Sequence, residues 1–109
     1  MKLTRGDTGA YKFQRLDKSG NAIATTPNAL YFTVKKTYSQ STYAFQKTLS
    51  DMTIDENGFW HFRIEPEDTA TLEYGTYVYD IEVTDGDYVQ TIAKGDLEIC
   101  EEATWYANK

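Results

Sequence analysis

At 109 residues and 12.5 kDa the chain is long enough for one hydrophobic core and too short for two. Eleven basic against seventeen acidic residues give a net charge of −6, which removes any long-range attraction to phosphate backbones or anionic lipid, so neither nucleic acid nor a membrane surface is an expected partner. The single Cys100 cannot close an internal disulfide, no run approaches the roughly 18 apolar residues of a membrane span, and Met1-Lys2-Leu3-Thr4 opens without an apolar signal segment. The expectation is a soluble, acidic domain that starts in a cytoplasm.

Apolar residues recur at period two between closely spaced turn signals, the pattern of an all-β sandwich or barrel, and about seven strands are expected. A short strand near Leu3 to Arg5 ends at Gly6. From Ala10 to Asp17, Tyr11 and Phe13 share one face and Lys12 and Gln14 the other, after which Ser19-Gly20-Asn21 turns the chain. Pro27 and Asn28 close a polar connection. Ala29 to Lys36 reads as a core strand, with Leu30, Phe32 and Val34 on one face and Tyr31, Thr33 and Lys35 on the other. The polar stretch Thr37 to Thr42 is a loop leading to a weaker strand from Tyr43 to Leu49, and Met52 to Ile54 either extends that strand or pairs on its own.

Asn57-Gly58 supplies the positive φ angles of a tight hairpin into Phe59 to Ile64, where Trp60, Phe62 and Ile64 share a face. The only helical candidate is one short turn near residues 66–73, with Pro66 at the first helical position and Glu67 and Asp68 in the first turn. Thr76 to Thr84 has the clearest alternation, placing Tyr77, Tyr79, Ile81 and Val83 inward and Thr76, Asp80, Glu82 and Thr84 outward. Asp85-Gly86-Asp87 makes a hairpin to Tyr88 through Ala93, and Lys94-Gly95 reads as a bulge before Leu97 and Ile99. The domain is expected over 1–101, with 102–109 as a C-terminal tail.

The most specific local pattern is Glu73-Tyr74-Gly75-Thr76-Tyr77, just before the longest strand. An acidic residue, then Gly, then Tyr at this spacing resembles the corner at which the sixth strand of immunoglobulin-like domains begins. The ring of Tyr77 can close the end of a core while its hydroxyl satisfies a backbone group in the preceding turn, so Gly75 and Tyr77 are read as a structural corner. Tyr79 stands where antibody domains carry their second cysteine, and aromatic packing is expected in place of that disulfide.

No catalytic constellation stands out, and the chain is read as a non-enzyme without cofactor or metal. His61 and Cys100 form a nucleophile and base only if the fold brings them within hydrogen-bond reach. The pairs Asp80 with Glu82 and Glu67 with Asp68 read as solvated acids. Asp55-Glu56-Asn57-Gly58 lacks the glutamate that an EF-hand calcium loop places six residues beyond its Gly, since Ile64 stands there. Arg5-Gly6-Asp7 spells an integrin-binding tripeptide but reads as the turn between the first two strands. Tyr31, Tyr38, Tyr43, Tyr74, Tyr88 and Tyr106 do not all fit an inward stripe. An amphipathic surface around Tyr31, Tyr38, Tyr43 and Tyr88 is therefore expected to contact another protein or sugar rings.

Motifs from one end of the chain to the other carry a family resemblance: Arg5-Gly6-Asp7-Thr8 before Tyr11-Lys12-Phe13, Asp17-Lys18-Ser19-Gly20-Asn21, Leu30-Tyr31-Phe32-Thr33-Val34-Lys35-Lys36, Phe45-Gln46-Lys47, Asn57-Gly58, Pro66-Glu67-Asp68-Thr69, Tyr74-Gly75-Thr76-Tyr77-Val78-Tyr79-Asp80-Ile81 and Gly95-Asp96-Leu97. In their order and spacing these resemble the immunoglobulin-like domains of bacteriophage tail and baseplate proteins, particularly the amino-terminal domain of the baseplate upper protein family. The resemblance implies an immunoglobulin-like antiparallel β-sandwich in a virion component, present in the host cytoplasm before assembly. Its implied partners are other virion proteins or further copies of itself, and no catalytic residues come with it. Family members continue into stalks or receptor-linking segments that this chain does not show. A head decoration protein, or a carbohydrate-binding module for attachment to the host, are the alternatives.

Overall fold

Leu30, Phe32 and Val34 are completely buried, all on one face of their strand, β3 (Ala29–Lys35). Burial of each such side chain contributes about 1.5–3 kcal/mol, so a strand with three of them on one face has its orientation fixed by that face. The computed structural model describes residues 1–104, and Tyr106 with the end of the expected tail lies outside them. Around β3 the chain places β1 (Lys2–Thr4), β2 (Gly9–Gln14), β4 (Phe45–Thr48), β5 (Thr53–Ile54), β6 (Phe59–Ile64), β7 (Gly75–Asp85) and β8 (Tyr88–Cys100). One four-residue helix, α1 (Pro66–Thr69), precedes β7.

These strands form an all-β fold of two sheets, one of five strands in the order β1-β8-β7-β3-β4 and one of three in the order β2-β6-β5. The inner faces meet through Phe32 and Phe62, whose rings lie 4.6 Å apart, with Phe45 and Tyr79 also against Phe32. Trp60, Ile64, Ile81, Val83, Leu97 and Ile99 complete the core. Offset aromatic contacts of this kind add about 0.5–1.5 kcal/mol each beyond area burial.

Among the described residues the strands number eight, in keeping with the about seven expected, Thr53–Ile54 taking the second of its two alternatives by pairing on its own with β6. Several expectations need correction. One pairing is parallel, Leu3 of β1 lying beside Ile99 of β8, since Arg5-Gly6-Asp7 carries the chain from one sheet to the other before β2. The strand expected from Tyr43 shortens to Phe45–Thr48 because residues 49–51 coil into a 3₁₀ turn, where the Thr48 N–H donates to the Asp51 carboxylate at 2.8 Å. α1 stops at Thr69, whose side chain is drawn into the core to accept the Gly6 N–H at 2.9 Å.

The bulge is not at Lys94-Gly95. Ala93 faces Ile81 and Thr91 faces Glu82, so Ile92 is the extra residue, while Gly95 stays in register under the ring of Tyr79, where a Cβ would come within 2.9 Å of it. At Asn57-Gly58 only Gly58 has positive φ, +82°. Asp55 does the rest of the turning, its Oδ1 accepting the N–H groups of Asn57 and Phe59 at 2.8 and 3.0 Å.

At the start of β7, Gly75 adopts φ +138°, a conformation that side chains of L-residues resist. Two residues on, the buried Tyr77 donates its hydroxyl to the carbonyl of Glu73 at 2.8 Å. Burial first, and then the Glu73 charge, push the Tyr77 pKa above its ordinary value, so the phenol remains a donor. Tyr77→Phe leaves that carbonyl unpaired and is expected to lower stability by about 1–3 kcal/mol in urea unfolding. Unchanged stability would mean that water replaces the hydroxyl without loss.

Candidate interaction surface

Strand alternation leaves the outer face of the five-stranded sheet to polar and aromatic side chains. Tyr31 of β3 stands opposite Thr48 of β4 and Glu82 of β7, and Thr33 stands opposite Gln46 and Asp80. Gln46 Nε2 donates to Thr33 Oγ1 at 2.9 Å, tying the edge strand to the face. The connection between β3 and β4 then folds against this face. Lys36 N–H donates to the Gln40 side-chain oxygen at 3.1 Å, and Ala44 N–H to the Val34 carbonyl at 2.7 Å. Tyr38 anchors the loop, its hydroxyl reaching the carbonyls of Tyr79 and Gly95 at 3.2 and 3.3 Å, with Lys94 Nζ 4.6 Å from its ring centre.

A groove of about 310 Å³ results, bounded by Tyr31 and Tyr43 and lined further by Thr33, Lys35, Ser41, Gln46, Asp80 and Glu82. Tyr31, Asp80 and Glu82 are half-buried, while Tyr43 is 55% exposed. Of the tyrosines read as a surface, the fold brings Tyr31 and Tyr43 together and sets Tyr38 beside them, next to Thr33 and Asp80. Tyr88 lies apart with Val89 at the β7–β8 hairpin, both well exposed. Tyr74 is occupied by Arg5, which stacks 4.2 Å from its ring centre and donates to its hydroxyl at 2.8 Å.

Asp80 and Glu82 are the groove residues that sequence reasoning passed over as solvated acids. Their i, i+2 spacing on an outward face is legible, but their alignment with Tyr31 and Thr33 depends on the register of β3 against β7.

The other chemistry-bearing side chains are engaged elsewhere. His61 Nε2 lies 2.7 Å from Asp55 Oδ2, and His61 is the main cause holding the Asp55 carboxyl below its ordinary pKa. Cys100 lies in the other sheet, its Sγ 3.3 Å from Glu98 Oε2, and that hydrogen bond is the main cause raising the thiol pKa. A thiol held protonated runs opposite to nucleophile activation. A larger groove, about 670 Å³, lies beside β2, β6 and the 3₁₀ turn. Two lysine and arginine side chains along it already face carboxylates, Lys47 facing Asp68 at 2.6 Å and Arg63 facing Glu65 at 3.0 Å, and His61 lies against Asp55. Arg5 of the Arg5-Gly6-Asp7 tripeptide is buried. Among the described residues no group of three His, Cys, Asp or Glu side chains is placed to hold a metal ion, and no helix is long and apolar enough to cross a membrane.

Fold and surface together define the class: an all-β domain of two facing sheets with an aromatic and acidic groove on one outer face. No protein-family model and no curated protein matches the chain.

Proposed function

We propose that this domain is a non-enzymatic interaction module of a phage or prophage particle, a tail or baseplate component built as an immunoglobulin-like sandwich. The observation that carries the interaction reading is the groove between Tyr31 and Tyr43, set in a chain whose histidine and cysteine lie in different sheets and are each tied to a carboxylate. The particle assignment rests on the motif order that resembles baseplate upper proteins. The sheet order and the Tyr77 to Glu73 hydrogen bond support the immunoglobulin-like part.

The test is the composition of purified particles. Mass spectrometry of particles released by the bacterium that encodes the chain is expected to find it at a fixed ratio to a major tail protein. Its absence from intact particles, with the protein present in the same cells, overturns the assignment. A carbohydrate-binding reading draws on the same feature, since two tyrosine rings flanked by an amide and carboxylates suit a sugar. Glycan-array binding abolished by Tyr31→Ala or Tyr43→Ala would favour it.

A further inference from the structure

The outer-face groove brings two carboxylates and two aromatic rings together, and neither carboxylate is held in an ion pair among the described residues. Asp80 and Glu82 project from the same face of β7, opposite Thr33 and Tyr31, and both are half-buried. None of the ion pairs among the described residues involves either acid. Lys94, directly opposite Asp80, lies against the ring of Tyr38. Lys35, opposite Val78, lines the groove itself and is in no ion pair with either carboxylate.

We infer that this groove receives an arginine side chain from a basic segment of a partner protein, an assignment that rests on the reading of the domain as an interaction module. Two carboxylates side by side on one strand face attract a cation more strongly than either does alone. The faces of tyrosine rings attract cations, and a planar guanidinium can lie along a ring while forking its N–H groups onto a carboxylate, which an ammonium cannot do. The volume of about 310 Å³ is at the low end of the range of about 300–1,000 Å³ that accommodates small ligands, suited to one inserted side chain. A net charge of −6 steers a basic partner inward and sets two copies of this chain against each other. That favours a basic partner over self-association at this face.

The experiment uses the isotope-labelled full chain and a blocked pentapeptide with one arginine between glycines, followed by amide-resolved NMR. Saturable shifts are expected at Tyr31, Thr33, Asp80 and Glu82, weakened by added salt and absent with the same peptide carrying citrulline. The doubly substituted Asp80→Asn, Glu82→Gln chain, its fold checked by an unchanged spectrum elsewhere, is expected to bind at least about tenfold more weakly. No shifts, shifts elsewhere, or equal shifts from the citrulline peptide overturn the inference. So do concentration-dependent shifts at these amides without peptide, which would make a second copy the occupant. A chain found in particles but silent to the peptide sinks the arginine assignment alone. A chain missing from particles sinks the module reading, whatever the peptide does.

Discussion

Replacing Arg5 with alanine is expected to lower the stability of this domain by about 3–5 kcal/mol. Arg5 is a buried cation whose guanidinium joins Glu102 to the loop after α1. Nε donates to Glu102 at 2.9 Å, Nη1 to the Leu72 carbonyl at 3.1 Å and Nη2 to the Tyr74 hydroxyl at 2.8 Å. The Glu102 side chain is only 3% exposed, so removal of its partner leaves a carboxylate in a poorly solvated site. The loop after α1 loses its tie to β1 at the same time. Urea unfolding at neutral pH measures the loss, and a change below about 1 kcal/mol would show that water reaches the site freely. Changing Arg5 and Glu102 together to methionine is expected to recover much of the stability, because a desolvated ion pair and an apolar pair of similar volume differ little in net free energy.

Phe32→Ala is expected to cost a comparable amount, about 3–5 kcal/mol, by a different route. Phe32 is completely buried, and its ring touches Phe62 across the gap between the sheets as well as Phe45 and Tyr79 on its own sheet. Truncation empties the point where the two layers meet. Neighbours on rigid strands can close only part of the cavity, so the lost transfer energy and the void add. Denaturant titration should show a lower midpoint with an unchanged slope. A loss near 1 kcal/mol would mean that the sheets move together to fill the space.

The interior of this fold was largely legible in the sequence. The alternation in Ala29–Lys35, Phe59–Ile64 and Gly75–Asp85 identified the buried faces because a strand exposes its pattern at period two regardless of its neighbours. The corner at Tyr77 was legible because donor and acceptor sit four residues apart. What escaped were features created by distant segments. Arg5 and Arg15 look like any surface arginine until Glu102 and Asp85, 97 and 70 residues later, arrive beside them. The bulge at Ile92 is hidden in the sequence because the nearby glycine attracts that assignment, whereas Gly95 is required by the ring of Tyr79 lying over it. The groove was half legible. Its tyrosines were singled out as surface, but the carboxylates between them depend on register, and the position of Tyr43 depends on a loop anchored by one hydroxyl of Tyr38.

The parallel pairing of Leu3 with Ile99 has a consequence for how the molecule comes into being. Among the described residues β1 pairs with β8 alone, so it stays unpaired until the segments between the two have been made. Closing so long a loop carries a large entropic cost and makes this a late event in folding. During that interval β1 presents a short, open strand edge to its surroundings, and the large sheet gains its β1 border only once β8 is in place.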